Sequence, residues 1–540
     1  MLFRKYIAAI LLILITGSFT LHAMPPHPDL LEKYRKDGGA SELSKKVSAM
    51  QSKSGMNMNK ASSLASGTMR IPVLLVRYSD VNFNTVLSTT AFYSNLMNGV
   101  ASTDLSVKKY YSDMSNGRLT MQFDVYGPVE LPETRTYYGG NVSGDDAHPG
   151  ELVNTAVNLL VAASGASTDF SIYDNDNNGT IDTVIIIHCG PGEETPAGDS
   201  NDIWSHQWDL ASAKNHGDGD GSVATDGVTF NVYTIQPEYV AAAGDSTIGV
   251  FCHELGHVLG LPDLYDTSNV TNGVGGWSLM GSGSWGDDAK GTRPAPLLAW
   301  ERFKTGGSGW INLSSITPGV GIYRYDKWIK MLFVLLIALL VIIPATSMRL
   351  SPVMKGVTAS VYFIIITAAL SCGSESNSVT RINGTINDME ASHHAFRIGL
   401  NDPYNAQYLF LEGKRTSNLT TEWFVPGTGI LITHIHEGII NSYLSAGAVN
   451  NGSSRVHGVN IVEASTSDEP GELWTNPIYA VNAGDLFCQE NNNTLTVSSS
   501  PGSSYYTGST VTSKTGDSGV TIENISSNAS FPITFTAVID

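Results

Sequence analysis

The sequence is poor in charged residues, in cysteine and in long apolar runs. Charged side chains make up 15% of its 540 residues, and the formal net charge is −19 with a pI near 5.0. No basic patch stands out, which argues against nucleic acid as a partner because phosphate binding needs clustered Lys and Arg. The length is sufficient for two or three domains with sizeable cores. The amino-acid composition is rich in Gly, Ser, Asn and Thr, which is typical of a secreted, loop-rich protein that contains β-structure.

The four cysteines follow no zinc-ribbon or Cys-x-x-Cys spacing, so they do not predict a second metal site; they are Cys189, Cys252, Cys372 and Cys488. Cys189 and Cys252 are both expected near the metal-binding motif described below. In an oxidising compartment these two could form a disulfide, and the alternative is that both are unpaired, buried thiols.

The N-terminus carries the pattern of an export signal. Arg4 and Lys5 precede an apolar run over residues 6–15, and small residues lead to Ala23. Residues 1–23 are therefore predicted to be a signal peptide that is cleaved after Ala23 and directs the chain out of a bacterial cell.

Residues 24–66 are polar and mixed, with a Pro-rich start, and are predicted to be a pro-segment or a flexible leader. A pro-segment would keep a catalytic site latent, as in a zymogen. The segment contains no cysteine that could offer a thiolate to a metal ion, so Asp29 or Asp37 would have to offer a carboxylate.

Residues 246–259 predict an amphipathic helix, with apolar side chains at helical spacing and Asp245 or Ser246 as its N-cap. His253 and His257 stand four residues apart on this helix, so both imidazoles emerge from one face. Two neutral imidazoles at that separation can hold one Zn²⁺ at about 2.0–2.1 Å.

The residues around this pair complete a metal-site pattern. Gly260 can adopt the left-handed conformation that ends the helix and turns the chain back, and Pro262 stops helical continuation. Asp263 then falls where a third ligand is needed. Glu254 is placed to act as general base toward a metal-activated water. The whole run has the pattern H-E-x-x-H-x-x-G-x-x-D.

Two downstream residues bear on this site. Met280, flanked by glycines within Gly275–Trp285, is predicted to form the Met-turn that underlies the zinc in metzincins. Glu301, in a helix predicted over Pro296–Phe303, is a rival third ligand because some zinc peptidases take a Glu from a later helix. The turn after the first helix favours Asp263, and Glu301 is then expected to be an exposed or capping carboxylate.

A second metal site is predicted upstream of this motif. Polar residues at alternate positions, followed by Gly179, match the first half of an EF-hand Ca²⁺ loop; they are Asp174, Asp176, Asn178, Thr180 and Asp182. The bidentate Glu of a complete EF-hand is missing, because Ile185 occupies the twelfth position. The segment is therefore either a structural calcium loop without a second EF helix or an Asx-rich turn.

Strands that alternate with helices from Met69 onward predict an α+β fold. Residues 67–320 are expected to form a metzincin-like catalytic domain with a mixed sheet and the active-site helix. Short runs punctuated by Ser, Thr, Asn and Gly predict a β-rich region over residues 391–540 that packs on the catalytic domain or follows it.

Residues 321–390 form an anomalous insertion with two apolar runs, 331–343 and 357–370, each shorter than the roughly 20 residues that cross a bilayer as a helix. One interpretation is a helical hairpin that tethers the protein to a membrane. The other, which we favour, is inserted or mis-joined sequence over 327–378, because its second half resembles a bacterial lipoprotein signal with Cys372 as the acceptor. Membrane contact is expected only under the first interpretation.

A family resemblance rests on several motifs: Ser106–Tyr111, Tyr173–Asp176, His253–Asp266, Gly275–Trp285, Pro296–Phe303 and Tyr408–Arg415. Together they resemble the immune inhibitor A family of secreted bacterial metzincin-type metalloproteases, over about residues 69–312 and again from near His393. The resemblance implies an endopeptidase with catalytic Zn²⁺, structural Ca²⁺ and a maturation segment. It also implies the same roles for the ligands His253, His257 and Asp263, the base Glu254 and the turn residue Met280.

The sequence thus predicts a secreted zinc-dependent endopeptidase that acts on extracellular proteins or peptides and is expected to be a monomer. One alternative is a catalytically silent surface adhesin stabilised by calcium, which the intact Glu254 argues against. The other alternative is a zinc amidase that acts on a non-protein substrate.

Overall fold

The computed structural model of the chain describes residues 22–36, 43, 45, 47, 61–99, 104–317 and 379–539, except for short gaps inside the last two ranges. These gaps are residues 143, 166–167, 269–270, 287, 403–405, 417–422, 445–446, 453–455, 466–482, 500–501 and 508–513. Most of the predicted signal peptide and both apolar runs of the insertion therefore lie outside the described residues.

The helices of the described residues are α1 Pro28–Lys36, α2 Ala61–Leu64, α3 Thr90–Asn98, α4 Val107–Met114, α5 Arg135–Gly139, α6 Pro149–Ser164, α7 Leu210–Asn215, α8 Ile248–Val258, α9 Ala299–Gly306, α10 Met389–Ser392 and α11 Glu437–Tyr443. Single turns of 3₁₀-helix occur at Phe170–Tyr173, Gly275–Trp277, Ser282–Trp285, Gly307–Gly309 and Ala483–Asp485.

The strands are β1 His22–Ala23, β2 Gly67–Arg77, β3 Leu119–Glu130, β4 Thr180–Ile181, β5 Val184–Pro191, β6 His206–Asp209, β7 Val223–Thr225, β8 Val228–Phe230, β9 Val232–Tyr239 and β10 Asn312–Ile316. They continue as β11 Thr380–Ile386, β12 His394–Gly399, β13 Gln407–Lys414, β14 Gly429–His436, β15 Val459–Val462, β16 Tyr505–Tyr506, β17 Lys514–Gly516, β18 Val520–Glu523 and β19 Ile533–Ile539.

The largest sheet within the described ranges has the strand order β1-β6-β9-β5-β2-β3. Strands β3, β2, β5 and β9 run parallel to one another. Strand β6 is antiparallel to β9, and β1 is antiparallel to β6. Every side chain of β5 is buried. Its Val-Ile-Ile-Ile run suits a central parallel strand, which is covered on both faces. The mixed α/β architecture expected from the sequence is confirmed.

The active-site helix α8 begins later than the sequence indicates. Its N-cap is Thr247, so the prediction that Asp245 or Ser246 caps it is wrong. The Asp245 carboxylate instead accepts backbone N–H groups upstream, from Val240 at 3.0 Å and Ala242 at 3.1 Å. A short acidic side chain bonds local backbone as readily in a turn as at a helix start, and here the turn before the helix uses it.

The helix predicted over Pro296–Phe303 also starts later, as α9 at Ala299. Leu298 is its N-cap, and the Glu301 carboxylate accepts the Leu298 N–H group at 2.5 Å. This bond satisfies a backbone donor that the first helical turn leaves without a partner.

The C-terminal part of the described chain contributes a sheet of order β10-β12-β13-β14-β15 and a sheet of order β11-β19-β18. Strand β10 lies before the insertion in sequence and pairs in parallel with β12, which lies after it. Strand β11 at 380–386 falls within the range predicted for the insertion, residues 321–390, and pairs along its length with β19.

One hydrophobic cluster joins the two parts of the chain. It contains Leu255 of α8 together with Phe410 of β13 and Leu431 of β14, all buried. The C-terminal strands therefore share a core with the active-site helix. The domain boundaries predicted at 320 and 390 stay predictions.

Residues 22–36 pack against the N-terminal part of the molecule. Strand β1 pairs with the outer side of β6, the Met24 N–H group donates to the Ser205 carbonyl at 3.0 Å, and the His27 N–H group donates to the Glu194 carbonyl at 2.8 Å. This part of the predicted leader is thus packed, and the predicted cleavage point after Ala23 falls within it.

Within the described residues, no helix is both long and apolar enough to cross a bilayer. The two apolar runs of the insertion lie outside the described residues, so the tether and the mis-joined sequence both stay predictions. Cys189, Cys252 and Cys488 are buried free thiols. The Cys189–Cys252 disulfide, one of the two alternatives, is therefore not formed.

A buried ion pair fastens α9 to the C-terminal part. The Arg302 Nη2 atom lies 2.7 and 2.8 Å from the two Glu390 oxygens, and its Nε–H group donates to the Leu297 carbonyl at 3.0 Å. Lys304, two residues on, makes a comparable 2.9 Å pair with Glu437, but its side chain is 25% exposed while that of Arg302 is fully buried.

Arg302→Ala is expected to lower the free energy of unfolding by about 3 kcal/mol, because it removes a fully buried side chain and leaves Glu390, which is 22% exposed, with only the more distant Lys414 at 4.0 Å. Lys304→Ala is the matched control and should cost about 1 kcal/mol or less, because solvent screens an exposed pair. Thermal melts of both variants measure the difference. Equal shifts in melting temperature would contradict the account.

Candidate active site

The two histidines of α8 present the same ring nitrogen to a common point. The His253 Nδ1 atom lies 2.9 Å from the Leu279 carbonyl oxygen, and the His257 Nδ1 atom lies 2.8 Å from the Leu261 carbonyl oxygen. A carbonyl oxygen can only accept, so each Nδ1 carries the hydrogen. Each Nε2 then has its lone pair available, which is the tautomer that metal-ligating histidines use.

A glycine turn returns the chain to these nitrogens. Gly260 has φ +87°, in the left-handed region that side chains disfavour. The Gly260 N–H group donates to the His257 carbonyl at 2.9 Å, and the Leu261 N–H group donates to the Gly256 carbonyl at 3.0 Å. These two bonds form a Schellman motif that ends the helix. The next three residues then place Asp263 opposite the histidines.

Three donor atoms converge at this point. His253 Nε2 and His257 Nε2 are 3.2 Å apart, and Asp263 Oδ1 lies 3.2 and 3.3 Å from them. Within the described part of the chain this is the group of three or more His, Cys, Asp or Glu side chains whose ligand atoms come close enough to share a metal ion. The structure therefore brings together the three residues that the sequence predicted as ligands.

The arrangement fits a zinc ion. Tetrahedral ligands at about 2.0–2.2 Å from Zn²⁺ lie about 3.3–3.6 Å from one another, close to the spacing observed here. Two imidazole lone pairs and a carboxylate oxygen repel one another when they are buried together. All three residues are at most 4% exposed, so a cation between them would remove that repulsion.

Glu254 lies beside this triad and is fully buried. Among the described residues neither of its carboxylate oxygens has a hydrogen-bond partner. Burial raises the pKa of Glu254 well above its usual value, and the nearby charges of Asp263 and Glu194 raise it further. A buried carboxyl group with unused oxygens is costly to keep, which is typical of a group that handles a proton during catalysis.

Met280 packs against helix α8, and its role as a Met-turn stays a prediction. It is fully buried, and a Cβ atom added to Gly256 would lie 2.5 Å from its sulfur. Gly256 precedes His257, so the thioether packs directly against the helix backbone at the ligand pair. The Met280 carbonyl also accepts the Leu264 N–H group at 2.8 Å, which ties the turn to the residue after Asp263.

Glu301 does not join the triad, although the sequence left it as a rival ligand. The expectation that it would be exposed is wrong, since it is fully buried. The expectation that it would act as a cap is confirmed by its bond to the Leu298 N–H group. Burial raises the pKa of Glu301 to about 8.

Two acidic residues of the predicted calcium loop accept hydrogen bonds from the loop's own backbone. The two Asp174 oxygens accept the N–H groups of Asn178 and Gly179 at 2.9 and 2.8 Å, and Asp182 accepts the N–H group of Asn175 at 2.9 Å. These are bonds of an Asx-rich turn, whereas the Asp176 Oδ1 atom is buried without a hydrogen-bond partner among the described residues. Both alternatives therefore stay open, and Ca²⁺ bound by Asp174, Asp176, Asn178, Thr180 and Asp182 stays a prediction.

Sequence reasoning missed Ser278, which is buried beneath the turn. Its hydroxyl accepts the Met280 N–H group at 2.9 Å and donates to Glu301 at 2.7 Å. Ser278 stands two residues before Met280 in a motif already noted, but its partner lies 23 residues away and only the fold brings them together.

Comparison with known proteins bears on this site directly. A family sequence model described as "Immune inhibitor A peptidase M6, catalytic domain" matches residues 69–311. Residues 69–311 belong to the immune inhibitor A peptidase family. The match covers most of the largest sheet, α8, the triad and the turn at Met280, and it confirms the resemblance inferred from the motifs over these residues.

Two relatives show the extent of the similarity. The chain is 28% identical over 311 residues to Immune inhibitor A of Bacillus thuringiensis subsp. alesti, which covers 47% of this chain and 43% of that protein. It is 32% identical over 228 residues to Pre-pro-metalloprotease PrtV of Vibrio cholerae serotype O1 (strain M66-2), which covers 38% of this chain and 24% of that protein. The matched part thus spans less than half the length of these relatives.

Gly260→Ala tests whether the turn places the third ligand. The variant is expected to lose about 1–2 kcal/mol of stability, because its Cβ is strained at this φ, and to bind zinc at least about tenfold more weakly. Zinc affinity is measured by competition with a colorimetric chelator.

Gly227→Ala is the matched control, because Gly227 has φ +84° in the turn between β7 and β8 with nothing within 4 Å of the added Cβ. It should lose similar stability and keep the zinc affinity of the wild type. Unchanged zinc binding by Gly260→Ala would contradict the role assigned to the turn.

Proposed function

We propose that this protein is an exported, zinc-dependent endopeptidase of metzincin type that hydrolyses peptide bonds of extracellular proteins. The observation that carries the proposal is the convergence of His253 Nε2, His257 Nε2 and Asp263 Oδ1 beside the buried carboxyl group of Glu254. Membership of residues 69–311 in a peptidase family supports the same conclusion, and it favours a peptidase over the adhesin and amidase alternatives.

The chain supplies three candidate metal ligands and a candidate base for such a reaction. A zinc ion bound by the triad would act as a Lewis acid and lower the pKa of water. Glu254 would accept a proton from the attacking water on one of its oxygens and pass it to the leaving amine. The Leu279 and Leu261 carbonyls hold the two imidazoles in the tautomer that leaves Nε2 as the ligand atom.

Casein hydrolysis before and after treatment with a chelator tests the proposal. The wild type is expected to lose activity with 1,10-phenanthroline and to regain it with added Zn²⁺. Glu254→Gln should lower kcat at least about 10²-fold, because the amide cannot take up a proton. It should still contain one zinc ion per chain, because Glu254 is not a ligand.

Glu437→Gln is a matched control for the loss of one carboxylate away from the triad, and it should keep full activity. A zinc-loaded wild type that cleaves no protein substrate would contradict the proposed function. Equal hydrolysis by wild type and Glu254→Gln would contradict the assignment of the base.

We also propose that residues 24–36, which stay on the chain after cleavage at the predicted signal site, keep this site latent. Two aromatic side chains beside the active site bind the backbone of this segment or of the residue before it: the Tyr265 hydroxyl donates to the Ala23 carbonyl at 2.5 Å, and the Trp285 Nε1–H group donates to the Pro25 carbonyl at 3.0 Å. Tyr265 lies next to the triad, with its ring 6.4 Å from that of His253. The segment thus connects the edge of the main sheet with the region that follows the Met-turn.

The buried side chain of this segment is not one of the two aspartates from which the sequence analysis expected a carboxylate for the metal ion. Asp29 is 76% exposed, so it is poorly placed to offer a carboxylate to the triad, and Asp37 lies outside the described residues. His27 is the buried side chain, with its Nε2 atom 2.6 Å from the Ala289 carbonyl and its ring 4.8 Å from that of Trp285. The relative named Pre-pro-metalloprotease PrtV supports both proposed N-terminal processing steps, export and maturation.

A chain that lacks residues 1–66 is expected to hydrolyse casein faster than the full-length chain. A synthetic peptide of residues 24–36, added in trans, should inhibit the shortened chain, and a peptide of the same composition in scrambled order should not. Failure of the peptide to inhibit an active shortened chain would contradict latency and leave the proposed protease activity intact.

A further inference from the structure

A buried carboxyl group lies directly beneath the turn that supports the metal ligands and takes no part in the proposed chemistry. Glu301 and Ser278 are both fully buried. The Ser278 hydroxyl lies 2.7 and 2.8 Å from the two Glu301 oxygens. A carboxyl group removed from water needs strong hydrogen bonds to be tolerated, and Ser278 supplies one of them.

The Ser278 hydroxyl has a second bond, which holds the turn itself. It accepts the N–H group of Met280 at 2.9 Å. The peptide segment between Ser278 and Met280 is therefore held at both ends by one side chain. Leu279 lies in that segment, and its carbonyl oxygen is 2.9 Å from His253 Nδ1.

The same turn also reaches the third ligand. The Met280 carbonyl accepts the N–H group of Leu264, the residue that follows Asp263, at 2.8 Å. A shift of the turn would thus move the hydrogen bond behind His253 and the backbone next to Asp263 together. Such outer hydrogen bonds orient metal ligands, and their loss typically lowers metal affinity about 10–100-fold.

Glu301 is itself held firmly by its own helix and by the C-terminal part of the chain. It accepts the N–H group of Leu298 at 2.5 Å at the start of α9. Glu412 of β13 accepts the next N–H group, that of Ala299, at 3.1 Å. Lys414 of the same strand pairs with Glu412 at 2.8 Å. The start of α9 is therefore anchored on the C-terminal sheet.

We propose that Glu301 is a positioning residue for the metal centre: through Ser278 it fixes the turn over Leu279 and Met280, and thereby the orientation of His253 and the place of Asp263. Because α9 is anchored on β13, the C-terminal sheet sets the geometry of the ligands. This inference rests on the proposed zinc site and adds a residue that touches neither the ion nor the substrate.

Zinc affinity of the full-length chain, measured with Zn²⁺ alone by chelator competition, tests the proposal. Ser278→Ala and Glu301→Leu are each expected to bind zinc at least about tenfold more weakly than wild type. Glu301→Gln should keep the zinc affinity within about twofold of wild type, because the amide oxygen of Gln can accept the same two hydrogen bonds, from the Ser278 hydroxyl and the Leu298 N–H group. The double variant Ser278→Ala with Glu301→Leu should be no weaker than the weaker single variant, because the two residues act in series.

Two further readouts separate positioning from a general loss of stability. The visible spectrum of the Co²⁺-loaded chain should change in Ser278→Ala, and kcat should fall while KM stays the same. Ser503→Ala is the matched control, because it removes another buried serine hydroxyl, one bonded to the Val520 carbonyl far along the chain. It should lower the melting temperature without changing zinc affinity or the cobalt spectrum.

Wild-type zinc affinity and an unchanged cobalt spectrum in Ser278→Ala would overturn the proposal. So would losses that add in the double variant. If Glu301→Leu does not fold, Ser278→Ala and Glu301→Gln still decide the question. A wild-type chain that binds no zinc would refute the metal site itself. A chain that binds zinc equally well with and without the Ser278 hydroxyl would refute only the positioning role of Glu301.

Discussion

The structure depends on a single constraint, the close approach of three acceptor atoms at a buried site. His253 Nε2, His257 Nε2 and Asp263 Oδ1 lie within 3.3 Å of one another. Three acceptors with no hydrogen between them repel, and only a cation or added protons make the arrangement favourable. The neighbouring helix, turn and sheet hold these three atoms close together.

Each ligand is held by backbone that belongs to a different part of the fold. Helix α8 sets the spacing of the histidines, the Gly260 turn returns Asp263, and the Leu279 carbonyl orients His253. Hydrogen bonds to carbonyl groups fix the tautomer and orientation of both imidazoles. The C-terminal strands β13 and β14 contribute side chains to the same hydrophobic cluster as α8.

Local patterns were enough to predict the parts of the site that lie close in sequence. The spacing of His253 and His257, the glycine at 260 and the flanked Met280 each have a direct geometric meaning. Partners distant in sequence could not be predicted, because no local pattern shows that Glu301 meets Ser278 or that β10 pairs with β12. The N-cap of α8 was also predicted incorrectly. Asp245 is a strong candidate by residue type, but its oxygens bond the backbone of the preceding turn instead.

Diffraction from crystals of the zinc-loaded chain, recorded at the zinc absorption edge, tests the central claim most directly. The account predicts one anomalous peak about 2.0–2.2 Å from His253 Nε2, His257 Nε2 and an Asp263 oxygen. A peak held by other side chains, or an Asp263 carboxylate turned away from both imidazoles, would contradict it.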